Sequence, residues 1–193
     1  MQRLQTEVSI LAPLRFLSFL LAVIVETALG QQTEAGFLSQ DCHVAFSYPP
    51  EWEVVRDTLD PGDACRFSVR PLDWQQRLAA HDSVDLYTIW LQIAPRGVWH
   101  QVAQSPFQRS DSGWVVLGRH DIEQPAETVS GVGWTGLRGT AIQGCYRVEG
   151  EYVGICDQLT ALVGTGDQSA LIIGGPESED IFNRILATIR FRS

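Results

Sequence analysis

Four cysteines constrain this chain more than any other feature, because their number and spacing indicate two disulfide bonds. The spacing favours the pairs Cys42–Cys65 and Cys145–Cys156. The second pair encloses the segment CYRVEGEYVGIC, whose central Glu149-Gly150 predicts a hairpin with the two cysteines facing each other across its strands. The competing interpretation is a zinc site, but the sequence has no C-x-x-C pair and no histidine spaced for ligation. We therefore predict two disulfides and no metal site.

Disulfides indicate an oxidising compartment, and the beginning of the chain agrees with this. Residues 1–30 have the pattern of a secretory signal peptide, with an apolar run over residues 16–25 and small residues at Ala28 and Gly30. The apolar run has about half the length that a membrane-spanning helix requires. We expect a secreted or periplasmic protein with no membrane span after signal cleavage. An uncleaved anchor over residues 9–25 is the alternative.

Charge and composition argue against several classes of function. The 193 residues include 23 acidic and 14 basic side chains, which gives a net charge of −9 and no excess of positive charge for nucleic-acid binding. Every basic residue is arginine, so the chain has no lysine that could act in catalysis or bind phosphate in a Walker-type loop. The acidic balance suits a cationic or basic partner.

Alternation of apolar and polar residues predicts a chain that is rich in strands. Strands are expected over residues 42–48, 52–56, 65–70, 85–94, 113–120, 132–143, 145–148, 152–163 and 169–173. Helices are expected over residues 73–81, 97–104 and 178–189. The last of these has apolar residues on one face, acids at its start and arginines after its end. This order predicts a single α+β domain over residues 41–193, after a flexible lead-in over residues 31–40.

One glycine motif matches a nucleotide-binding pattern, and we interpret it differently. Residues 131–136 (GVGWTG) satisfy G-x-G-x-x-G, but strand-like residues follow where a dinucleotide site needs a helix. The motif is therefore expected to be a glycine-rich strand or a bulge, and we predict no cofactor.

Tryptophans are the best candidates for ligand binding. Four of them have polar neighbours and are the candidate binding residues: Trp74, Trp99, Trp114 and Trp134. Exposed aromatic side chains in an exported protein suggest a sugar or protein surface, and the alternative is that they cover the ends of a sheet. Trp52 and Trp90 lie in apolar strand segments and are expected in the core.

No arrangement of catalytic residues is evident in the sequence. The four histidines are scattered, without H-x-x-x-H or H-E-x-x-H spacing, and there is no G-x-S-x-G nucleophile motif. We expect no catalytic residues. The alternative is an exported hydrolase with a site built from His100 or His120 and a neighbouring aspartate.

Two segments of the chain carry short motifs that point to a known group of proteins. Residues 46–54 (FSYPPEWEV) have the form F-x-Y-P-x-x-W-x-V, and residues 180–191 contain the form F-x-x-I-L-x-(S/T)-(I/F)-x-F. In these two segments the chain resembles the opening and the final helix of PsbP-like domains and related small exported bacterial proteins of unknown function. A glycine-rich strand at residues 131–140 lies where the group commonly has one. The resemblance implies a central antiparallel sheet flanked by helices, an αβα sandwich, in which Trp52 packs into the core. It implies no catalytic residues.

These observations together favour an exported, non-enzymatic binding or accessory module. Its partner is expected to be a protein or a small molecule. A hydrolase and a carbohydrate-binding module that uses exposed tryptophans are the alternative functions.

Overall fold

A computed structural model describes residues 34–57, 65–80, 86–95, 105–146 and 150–192 of the chain. Three of the predictions lie outside the described residues: the signal peptide, the helix over residues 97–104, and the candidate residues Trp99 and His100. No helix within the described ranges is long and apolar enough to cross a membrane.

Antiparallel strands dominate the described residues, of which about 60% are in strands and 18% are helical. The strands are β1 (Ala35–Ser39), β2 (Val44–Tyr48), β3 (Trp52–Arg56), β4 (Cys65–Pro71), β5 (Ile89–Pro95), β6 (Phe107–Ser110), β7 (Gly113–Leu117), β8 (Glu123–Gly131), β9 (Trp134–Tyr146), β10 (Tyr152–Gly164), β11 (Gln168–Gly174) and β12 (Arg190–Phe191). The helices are α1 (Trp74–Ala80) and α2 (Glu179–Thr188), with short 3-10 segments at Arg119–Asp121 and Pro176–Ser178.

The strands form two sheets. Nine strands make the larger sheet in the order β3-β4-β5-β11-β10-β9-β8-β7-β6, and three strands make the smaller sheet in the order β1-β2-β12. Every pairing is antiparallel, as in β9 and β10, which form a hairpin of two thirteen-residue strands. Part of the segment predicted as a lead-in, Ala35–Ser39, is β1 and pairs with β2.

The core lies on one face of the nine-stranded sheet, which we call the inner face and which carries Ile89, Leu91 and Ile93 of β5. Two other elements supply the apolar residues that pack against it. Helix α2 contributes Phe182 and Ile185, and β2 of the small sheet contributes further buried residues. Successive side chains of a strand point to opposite faces. The residues of β5 that alternate with Ile89, Leu91 and Ile93 therefore point to the opposite face, which we call the outer face.

Strands, rather than a helix, cover part of the outer face. Residues 123–125 of β8 pair with β7, whereas residues 126–131 pair with β9, so the sheet turns at β8 and brings β7 into contact with β9. Phe107 and Val116 then pack on Ala141. The approach is close at Gly139, where an added Cβ would lie 2.8 Å from Cγ1 of Val116.

The predicted αβα sandwich is therefore wrong. Of the helices among the described residues, only α2 packs into the main core. A three-stranded sheet shares the inner face with α2, and the β6–β7 hairpin covers the outer face of β9. An apolar sheet face needs only a complementary apolar surface, so strands meet this requirement as well as helices do.

Both predicted disulfides are present. Cys42 and Cys65 have Cα atoms 5.8 Å apart and join the segment before β2 of the small sheet to β4 of the large sheet. Cys145 and Cys156 lie within the β9–β10 hairpin, as predicted. They are diagonal rather than directly opposite, because Cys145 faces Gly154 across the ladder.

Candidate ligand-binding site

A concavity of about 240 Å³ opens on the outer face of the large sheet, where β4, β5 and β11 lie side by side. We call it the Trp90 trough. Its lining includes one indole, two aliphatic side chains and three polar or charged residues: Trp90, Leu171, Ile173, Gln92, Arg66 and Asp57.

The register of the sheet brings these residues together. Trp90 of β5 is directly opposite Ser68 of β4 and Ile173 of β11. Two residues further along β5, Gln92 is opposite Arg66 and Leu171 on the same two strands. The trough therefore consists of two neighbouring rows of cross-strand contacts on three adjacent interior strands of the large sheet.

Trp90 is the most distinctive residue of the trough, because 43% of its surface is exposed. Leu171 is buried and Ile173 is half-buried, so they form an apolar floor beside the indole. The polar border is held by the backbone, since the amide of Asp57 donates a hydrogen bond of 2.9 Å to the carbonyl oxygen of Arg66. An aromatic ring, an aliphatic floor and a few polar groups are the usual parts of a small-molecule site.

The prediction that Trp90 belongs to the core is wrong. Its sequence neighbours Ile89 and Leu91 are buried, but neighbours in a strand point to the opposite face. The signal that would have found it is the polar Gln92, two residues away and therefore on the same face as Trp90.

No protein-family model and no curated protein matches this chain. The geometry of the described residues is therefore what supports a site.

The three predicted tryptophans that the structure describes, Trp74, Trp114 and Trp134, do not form one surface. Trp134 is only 5% exposed and donates its indole N–H to the carbonyl oxygen of Ile189, so its ring is a core element. Trp74 is half-buried under the guanidinium of Arg70, 4.0 Å from the ring centroid. Trp114 is exposed on β7 near Arg109. Among the described residues, none of these rings contacts another.

The alternative hydrolase site finds no support in the described ranges. His120 and Asp121 are both exposed and occupy the tight turn between β7 and β8, each with a φ of +57°. Within the ranges described, no serine or threonine hydroxyl is hydrogen-bonded to His120. No cluster of three or more metal-ligating side chains occurs among those residues either.

A second concavity, of about 390 Å³, lies between β8 and β9. Arg138 is the one cationic residue among those that line it. Its guanidinium nitrogens lie 4.0 Å from a carboxylate oxygen of Glu127 and 3.5 Å from one of Glu179. Because two carboxylates already neutralise this guanidinium, the concavity does not present a site for an anion. The Trp90 trough is the better candidate for binding.

Proposed function

We propose that this protein is an extracytoplasmic, non-enzymatic binding module and that the Trp90 trough is its ligand site. The observation that carries the proposal is an indole that remains 43% exposed in a concave part of the sheet. Exposing a large aromatic side chain beside aliphatic residues leaves favourable burial energy unused, and a ligand recovers it.

The trough favours a ligand that combines an apolar face with hydroxyl groups, and a sugar ring has both. The C–H face of a sugar packs on an indole, as Trp90 would allow. The amide of Gln92 both donates and accepts hydrogen bonds, and the charged residues Asp57 and Arg66 border the trough. A volume of about 240 Å³ matches one ring of a longer saccharide rather than a large organic ligand.

The compartment in the proposal is supported by the two disulfides, which persist in oxidising environments. The signal peptide and the resemblance to PsbP-like domains stay predictions from the sequence.

Calorimetric titration with tetrasaccharides of the cello, xylo, malto and chito series tests the proposal. At least one is expected to bind, and Trp90→Ala should weaken its binding by about tenfold, since about 1.4 kcal/mol of stacking corresponds to that factor. The matched control is Trp114→Ala, which removes another exposed indole and should change the affinity by less than about twofold.

Two results would overturn the proposal. One is the absence of heat and of any shift in the indole N–H signals of an NMR spectrum for all four series. The other is an equal loss of affinity in both variants, which would show that binding does not depend specifically on the Trp90 trough.

A further inference from the structure

We propose that the end of the β9–β10 hairpin is a docking surface for a polypeptide segment that carries basic and apolar side chains. The surface consists of Tyr146, Tyr152, Ile155 and Arg119, and we call it the tyrosine surface. It is separate from the Trp90 trough and does not rest on the proposed saccharide function.

The tyrosine surface is an exposed apolar patch. Tyr146 and Tyr152 are directly opposite each other on β9 and β10, with ring centroids 5.6 Å apart, and both rings are exposed. Ile155 is 70% exposed and lies opposite Gly144. Aromatic residues gathered with an exposed aliphatic residue are typical of the centre of a protein interface.

Gly144 makes this arrangement compact. An added Cβ at Gly144 would lie 3.0 Å from a guanidinium nitrogen of Arg119 and 3.2 Å from atoms of both tyrosines. The three side chains therefore converge over this one glycine. The guanidinium carbon of Arg119 is 5.0 Å from the centroid of Tyr152, so this ring already accepts a cation on its face.

The charges around the surface indicate a basic partner. Asp157 is exposed two residues after Ile155 in β10, and Glu151 is exposed next to Tyr152. The turn that supplies Arg119 continues into Asp121, which is also exposed. Arg119 keeps its positive charge while it contacts the Tyr152 ring, but among the described residues these three exposed carboxylates accompany its one guanidinium, and the whole chain carries a net charge of −9. Lysine or arginine side chains of a partner would thus meet carboxylates at the border and a tyrosine ring at the centre.

Two fluorescent peptides of about 14 residues test the proposal in anisotropy titrations. Both contain the same leucines, and one carries lysines where the other carries glutamates. The lysine peptide is expected to bind, and its Kd should rise on going from about 50 to about 300 mM salt. Ile155→Ser and Tyr152→Ala should each raise that Kd about tenfold.

The matched control is Val132→Ser, because Val132 is also 70% exposed but lies in the β8–β9 turn. It should change the Kd by less than about twofold. Trp90→Ala should also leave peptide binding unchanged, which separates this result from the saccharide proposal. The inference is overturned if neither peptide binds, if the glutamate peptide binds equally well, or if Val132→Ser weakens binding as much as Ile155→Ser. It is also overturned if sedimentation shows a dimer that Ile155→Ser dissociates, since the occupant would then be a second copy of the chain.

Discussion

The indole nitrogen of Trp134 donates a hydrogen bond to the carbonyl oxygen of Ile189, 3.2 Å away. Trp134 begins β9 and Ile189 is the residue directly after the end of α2, and both side chains are buried. The bond therefore holds the end of the helix on the inner face of the large sheet.

Replacing this indole should destabilise the fold. Trp134→Phe removes the donor and leaves part of the indole volume empty, so we expect the free energy of unfolding to fall by about 1–3 kcal/mol. Urea unfolding followed by circular dichroism measures the change. Trp114→Phe, at an exposed position of β7, is the control and should stay within about 0.5 kcal/mol of the unchanged protein. Equal urea midpoints for the two variants would contradict the structural role of Trp134.

The two disulfides should stabilise the protein to different extents. They span 23 and 11 residues, and the loop-closure model gives each about 3 kcal/mol, with the longer loop favoured by about 0.6 kcal/mol. The double variant Cys42→Ser with Cys65→Ser should therefore unfold at less urea than Cys145→Ser with Cys156→Ser. The first disulfide also joins the two sheets, so its removal weakens their contact and should lower the free energy of unfolding further. A larger loss from the hairpin pair would show that loop closure does not govern this fold.

Acid should weaken the contact between the two sheets at Asp41. The Ser39 hydroxyl donates a 2.6 Å hydrogen bond to the Asp41 carboxylate, the Arg56 guanidinium pairs with it, and together they lower its pKa from 3.8 to about 2. Because the folded pKa is the lower one, this stabilisation is complete above pH 3.8 and is lost as the pH falls through about 2.

The Asp41→Asn variant should accordingly lose less stability than the unchanged protein between pH 5 and pH 2, as measured by urea midpoints. Ser39→Ala should raise the pKa of Asp41, which an NMR titration of the carboxyl carbon detects. An Asp41 that titrates at its ordinary value in the folded protein would contradict this prediction.

The turn between β7 and β8 can be improved. His120 and Asp121 both have a φ of +57°, the left-handed region that two-residue hairpin turns require and that Asn-Gly adopts most readily. Combining His120→Asn with Asp121→Gly should raise the free energy of unfolding by about 1 kcal/mol. Asp121→Ala is the opposite control, because alanine tolerates this conformation poorly, and it should lower stability. A double variant that unfolds at less urea than the unchanged protein would show that His120 or Asp121 makes a contact that outweighs the turn geometry.

Local sequence patterns predicted many of the elements correctly. The alternation in residues 52–56 and the amphipathic pattern before the end of the chain are realised in β3 and α2. Strand β8 was missed because its sequence, EQPAETVSG, is polar and has no buried residue. Its conformation comes from ladder bonds to β7 and β9, and such pairing is not visible in the composition of one segment.

The candidate site was harder to predict than the elements. Trp90 and Trp134 exchanged their expected environments, because burial depends on the face of the sheet and on what covers that face. Helix α2 and the small sheet cover the inner face, while the β6–β7 hairpin covers only part of the outer face.

The sequence alone determined the local properties: the disulfide pairs, the alternation of most strands, the position of α2 and the acidic balance. These depend on neighbours along the chain or on the cysteine spacing. The tertiary structure alone decided that strands as well as a helix cover the faces of the large sheet, and that Trp90 rather than Trp134 meets solvent. The physical reason is that an apolar face specifies that it must be buried but not by which element, and that choice is made by contacts between residues far apart in the chain.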